Sequence, residues 1–173
     1  MKLVWGMSQE ELIKSGEVLP DPKISKRDTL MYHSEILGEK ALAAYIFASN
    51  KLIRAKYMFC KYFPPDAQRF LYPSLPSKTP LLGECFRDFE KFEKAIIAEH
   101  GKPYLTTHFE LPDRIDTNVL GLIIEENAIR RGQASWYSQW KTKDTLIILL
   151  LRGESEEMKF EIGFKSIDLS DPK

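Results

Sequence analysis

Two stretches of this 173-residue chain share one order of elements: a helix, then three runs of alternating polarity. In the first, Trp5-Gly6-Met7-Ser8-Gln9-Glu10-Glu11-Leu12 opens a short helix and three strand-like runs end near Phe63. In the second, Glu84 to His100 is helical, and after an interruption three more runs end near Ser166. A helix leading into one three-stranded meander has too little apolar surface to bury its own sheet, whereas two copies side by side complete a core. The expected fold is α+β: two helix-plus-three-stranded antiparallel meander repeats forming one sheet layer, with helices mainly on one face. Residues 1–173 read as a single domain, with repeat one at about 4–63, a proline-rich crossing at 64–83, and repeat two at about 84–166 carrying an inserted helix at about 117–131.

The local signals agree with that order. Ser8 and Glu11 are spaced as a capping box, Met7 and Leu12 as a hydrophobic staple, and Gly16 as a stop. Strands are expected at Thr29–Leu37, Lys40–Ala48 and Leu52–Tyr62, with turns at Gly38-Glu39 and Ser49-Asn50-Lys51. Three more are expected at about Ala134–Lys141, at Thr145–Leu151 and, after a turn from Gly153 to Glu156, through Met158–Phe164. Tyr32, Tyr45, Phe47, Tyr57, Phe59, Trp136, Trp140, Phe160 and Phe164 alternate as one core face. Pro64, Pro65, Pro73, Pro76 and Pro80 predict a stiff, extended crossing that is neither strand nor helix. In the inserted helix, Val119, Leu120, Ile123, Ile124 and Ala128 form the expected buried side, with Glu125 and Glu126 as its exposed flank.

Composition excludes several classes of function. Lys plus Arg and Asp plus Glu number 25 each, so no overall charge draws the molecule to a polyphosphate, and nucleic acid is not an expected partner. No run reaches the roughly 18–20 apolar residues that a spanning helix needs. Met1-Lys2-Leu3-Val4 is too short for a signal peptide's apolar region. The reading is therefore periplasmic or envelope-associated if a leader has been removed, and otherwise cytoplasmic.

The Trp-Gly-Met-Ser-x-Glu-Glu opening at Trp5–Glu11, the aromatic meander and a second helix followed by Gly101-Lys102-Pro103 resemble bacterial proteins built from tandem helix-plus-meander repeats. More distantly the pattern is similar to the β-lactamase inhibitor protein architecture and to the small outer-membrane-assembly lipoproteins (SmpA or OmlA). The resemblance implies an envelope or secreted protein that binds other proteins without chemistry. It carries no functional residue across, and the chain departs from it in the helix near Thr117.

No catalytic motif is present: Gly-x-Ser-x-Gly elbows and Gly-rich phosphate loops are absent. His33 with Glu35 and His108 with Glu110 are i,i+2 pairs that read as solvated strand-face and loop residues, and neither pair supplies three convergent metal ligands. No cofactor or metal is expected. Cys60 and Cys85 flank the crossing and read either as a disulfide between repeats or as two unpaired thiols.

The middle strands of the two meanders carry the sharper signal, being small or apolar on both faces. On the side away from the aromatic core, Leu42, Ala44, Ile46, Ile148 and Leu150 are bordered by Arg54 and Lys56. An apolar centre with a polar rim is the composition of an interaction surface. The expected function is a non-enzymatic protein-binding module using this sheet face, its partner another protein or a second copy. Two alternatives stand beside it: the segment with Phe70 and Tyr72, or the Thr117 helix, covers the face; or an enzyme or small-ligand site lies near His108, Glu110 and the crossing.

Overall fold

The computed structural model describes residues 4–16, 20–73, 80–81, 83–108, 119–154 and 157–169. Pro76, Glu110 and the Gly153–Glu156 turn beyond Glu154 lie outside them in whole or in part, as do the side chains of Val119, Leu120 and Ile124. The elements are α1 (Gln9–Lys14), β1 (Thr29–Ile36), β2 (Glu39–Ala48), β3 (Lys51–Phe59), α2 (Pro65–Leu71), α3 (Glu84–His100), β4 (Leu105–Thr106), α4 (Val119–Arg130), β5 (Ser135–Lys141), β6 (Thr145–Glu154) and β7 (Glu157–Ser166). The fold is α+β, and every strand joins one antiparallel sheet in the order β1-β2-β3-β7-β6-β5-β4. Each meander keeps its own hairpins. The two join through their last strands, where Lys56 faces Gly163.

The hairpin chemistry follows from backbone sign. Leu37 and Gly38 (φ 51° and 81°) turn β1 into β2, and Ser49 and Asn50 (φ 50° and 58°) turn β2 into β3. Paired positive φ values match the right-handed twist of the flanking strands. The first turn thus sits one residue earlier than Gly38-Glu39, and the second starts at Ser49 as expected but ends before Lys51; Glu39 and Lys51 are already paired in strands.

The helices α1, α3 and α4 pack on one face. Leu12 of α1 is buried with Leu30, Tyr32, Ala43, Tyr45, Phe47 and Leu52. Phe86, Phe89 and Phe92 of α3 and Ile129 of α4 are buried with Phe59, Trp136, Trp140, Leu149 and Phe160. The aromatic face is therefore two clusters rather than one, because α1 and α3 each cover only part of the sheet. Tyr57 and Phe164, in edge contact at 6.1 Å between ring centres, bridge the two and stay half-buried.

Three local expectations are corrected. Part of the crossing is helical: Pro65 occupies the first helical position of α2, where a missing N–H breaks no hydrogen bond, and Gln68 Nε2 donates to the carbonyls of Lys61 and Phe63. In α4, Ile123 is exposed while Glu126 is buried, the carboxylate accepting from Gly83 N–H at the start of α3 (2.9 Å) and from Arg130 (2.6 Å). It caps one helix from another, which no periodicity predicts. Gly153 belongs to β6, not to a turn; a Cβ there would stand 1.8 Å from the Ile129 carbonyl oxygen and 2.4 Å from that of Arg130. The last turn of α4 thus lies directly on strand backbone. Gly153→Ala forces that helix outward, and a loss of about 1–3 kcal/mol is expected in urea melts; an unchanged midpoint would show that α4 does not seat there.

Candidate functional site

The register places three rows across the side of the sheet opposite the two clusters. The first runs His33, Leu42, Met58, Glu161, Leu150, Tyr137; the second Met31, Ala44, Lys56, Gly163, Ile148, Gln139; the third Thr29, Ile46, Arg54, Lys165, Leu146, Lys141. Leu42, Ala44, Ile46, Arg54, Lys56, Ile148 and Leu150 therefore lie on one face, brought together from both repeats by the β3–β7 pairing. Among the described residues, each buried hydrophobic side chain of α1, α3 and α4 belongs to a cluster on the other face. Met58, Leu146, Ile148, Leu150, Ile46 and Tyr137 are half-exposed.

One end of this face is covered. The Tyr72 ring meets His33 edge-on at 4.6 Å and its hydroxyl donates to the Ala41 carbonyl at 2.8 Å. Leu42 and Ala44 are 5% and 2% exposed, so they form floor rather than contact surface. Phe70 does not join Tyr72 there: it is 69% exposed. α4 packs against the other side of the sheet through Ile129.

Cys60 and Cys85 are both free and buried. Cys60 lies near Tyr72 and Leu42, and burial pushes its thiol up to about 11; burial, with Glu126 nearby, pushes Cys85 up to about 12. Both are protonated and unreactive near neutral pH.

His108 is not solvated. Its side chain is 7% exposed, stacked on Trp136 at 5.3 Å and edge-on to Phe89 at 4.9 Å. Its Nε2 lies 2.8 Å from Glu93 Oε1 and 3.1 Å from Ser138 Oγ; Ser138 donates to the same Glu93 oxygen, and Thr106 Oγ1 lies 3.0 Å from Ser138 Oγ. Burial alone would raise the Glu93 pKa, but the hydrogen bonds from His108 and Ser138 outweigh it and hold the carboxyl below its ordinary value.

Serine, histidine and carboxylate are together here without forming a relay. A relay needs the imidazole to face serine and acid with different nitrogens, and here one nitrogen meets both. Ser138 is fully buried, leaving no approach for a substrate carbonyl. Pro64, Pro65 and Pro80 of the crossing line a separate 160 Å³ cleft whose described lining does not include His108. A shallow 500 Å³ cleft beside Thr107 is lined, among the described residues, by Ser135, Tyr137 and Arg152.

Lys61 forms the other polar cluster, with Asp88 at 2.5 Å, Glu84 at 3.1 Å and Glu39 at 3.4 Å. Burial would lower its pKa, but the hydrogen bonds and charges of Asp88, Glu84 and Glu39 outweigh that and raise it. The Tyr62 hydroxyl donates to Asp88 at 2.5 Å. The cluster clasps the end of repeat one to α3. Among the described residues, no three His, Cys, Asp or Glu side chains are grouped to hold a metal ion, and no helix is long and apolar enough to cross a membrane.

Neither buried polar cluster was readable from spacing. His108, Glu93 and Ser138 come from three elements; the available signal was the even parity of Ser138 with Trp136 and Trp140, which places it in the core. No protein-family model, curated protein or solved structure matches this chain.

Proposed function

We propose that this protein is a non-enzymatic protein-binding module of the bacterial envelope, and that its partner contacts the uncovered sheet face. The observation that carries the reading is the row structure: Ile46, Leu146, Ile148 and Leu150 lie half-exposed on one face, with cationic side chains beside them and helices on the other side. An apolar centre with a polar border is what a non-obligate interface requires. The envelope location rests on the sequence resemblance alone.

The test is cross-linking and capture from cell envelopes with the wild type, Ile46→Glu and Ile148→Glu. Both side chains are half-buried on the face away from the two core clusters, so neither variant places a charge in those clusters. A partner held by the wild type should be lost by at least tenfold in each variant. Equal recovery by all three would remove the sheet face as the contact surface.

A further inference from the structure

The two ends of the sheet differ in charge. The register puts the starts of β1, β3 and β6 together with the ends of β2, β5 and β7 along one of them. Lys26 and Arg27 precede β1 there and Lys51 opens β3. Gln9 ties these corners together, its backbone N–H donating to Asn50 and its side chain to the Arg27 carbonyl. Further along, Lys141 and Lys143 flank the turn into β6, Lys165 lies near the end of β7, and Lys102 stands beside β5, where the Gly101 carbonyl accepts from Trp140. Six of these seven side chains are exposed and Lys165 is half-buried. Among the described residues, none of the seven is ion-paired. The carboxylates beside them are Asp28, Asp144 and Asp168, while Glu10 and Glu11 of α1 are engaged by Lys14 and Ser8. At the opposite end Lys40, Lys61, Arg152 and Lys159 are each ion-paired, with Glu35, Asp88, Glu154 and Glu154. A chain of balanced total charge is thus electrically polar along its strands. The cationic end also exposes Val4, Tyr104, Leu105 and Ile167. They are held there by Trp5 Nε1 donating to Thr145 (2.7 Å), Tyr104 N–H to the Gln139 carbonyl (2.9 Å) and Ile167 N–H to the Asp144 carbonyl (2.9 Å).

We propose that this end of the sheet docks the protein, reversibly and without spanning, on the surface of an anionic lipid bilayer. The lysines and Arg27 meet the headgroups, and Val4, Tyr104, Leu105 and Ile167 enter the boundary beneath them. Seven strands at a spacing of about 4.8 Å set the cations along roughly 30 Å, several screening lengths at physiological salt. Composition decides the occupant. Flexible lysines outnumber the one arginine, which suits diffuse attraction to a field of headgroups rather than bidentate recognition of single phosphates. A polyphosphate chain would meet the cations but leave the aliphatic side chains in water, whereas a lipid interface takes both. A second copy in the same contact would set cations against cations. Neither the cleft beside the crossing nor the one beside Thr107 includes any of these residues, so no described pocket at this end fits a protein side chain. Docked in this way the sheet stands on its strand ends, and its uncovered face looks along the membrane.

The experiment measures co-sedimentation of the whole chain with vesicles of equal parts phosphatidylglycerol and phosphatidylcholine, and with phosphatidylcholine alone. Trp5 emission is the second readout, with Trp5→Phe as its blank, since Trp136 and Trp140 are buried. Binding to the anionic vesicles should be at least tenfold tighter than to the neutral ones, should weaken steeply with salt, and should shift Trp5 emission to the blue. Lys141→Glu with Lys143→Glu, and separately Lys26→Glu with Arg27→Glu, should each weaken it at least tenfold. Arg69→Glu with Arg87→Glu makes the same change of charge on α2 and α3 and should leave binding as it was. All six positions are exposed, and circular dichroism melts check that each variant is folded. Ile167→Ser should weaken the binding that survives high salt. Equal partition to neutral and anionic vesicles, an equal loss from the Arg69 and Arg87 pair, indifference to Ile167→Ser, or tighter binding of a single-stranded oligouridylate or a polyglutamate peptide would each overturn the proposal.

Discussion

Phe160→Ala is expected to destabilise the protein by about 3–5 kcal/mol, the cost of emptying a large buried aromatic site that its neighbours cannot refill. Phe160 is 2% exposed and lies against Phe59, Phe92, Tyr62 and Phe89, with ring centres 4.8, 5.5, 5.7 and 6.2 Å away. These neighbours come from β3, the turn after it, and α3, so the cavity would open where the two repeats meet. Tyr57→Ala should cost distinctly less, because Tyr57 is half-buried at the bridge between clusters. Chemical denaturation of both variants checks the ordering; equal losses would mean that the two clusters act as one.

Glu93→Ala is the second large effect, at about 3–5 kcal/mol, because it strands His108 and Ser138 in a nearly closed site. Glu93 and His108 are 13% and 7% exposed at their side chains. The same pair gives a pH signature. The Glu93 carboxyl is held below its ordinary value, so its contribution is complete above the unfolded-state pKa and is lost as pH falls through the folded-state value. Wild type should therefore lose stability on acidification through the carboxylate range, and Glu93→Gln should flatten that part of the profile. The stack of Trp136 on His108 supplies a fluorescence reporter. A profile unchanged by Glu93→Gln would show that this carboxylate does not carry the acid sensitivity.

The architecture was legible because strands and helices announce themselves by period. Tyr45 and Phe47 on one parity and Leu42, Ala44 and Ile46 on the other define the two faces of β2 from residue order alone. Ser8 and Glu11 form the capping box that their spacing implied. What escaped has no period. β4 is only two residues long, yet it sets Thr106 against Ser138 and, just beyond, carries His108 into the core. Glu126 sits on a helix whose stripe assigns it to solvent, and it is buried because α3 needs a carboxylate at its start. Pro64 and Pro65 read as part of an extended crossing, whereas Pro65 begins α2. On the candidate face, parity placed Leu42 beside Ala44 and Ile46, but only the contact of Tyr72 with His33 and the burial of Leu42 show that this end is covered.

Whether the uncovered sheet face is the working surface is tested most directly by site-specific photo-cross-linking in cells that make the protein. A benzophenone side chain would be placed in turn at Ile46, Ile148 and Leu150, and on the helical side at Ile123 and Leu81, which are 37% and 68% exposed. A discrete adduct of one mass is expected from the three sheet positions and none from the two helical ones. Adducts confined to Ile123 or Leu81, with the sheet positions silent in folded protein, would contradict a working sheet face.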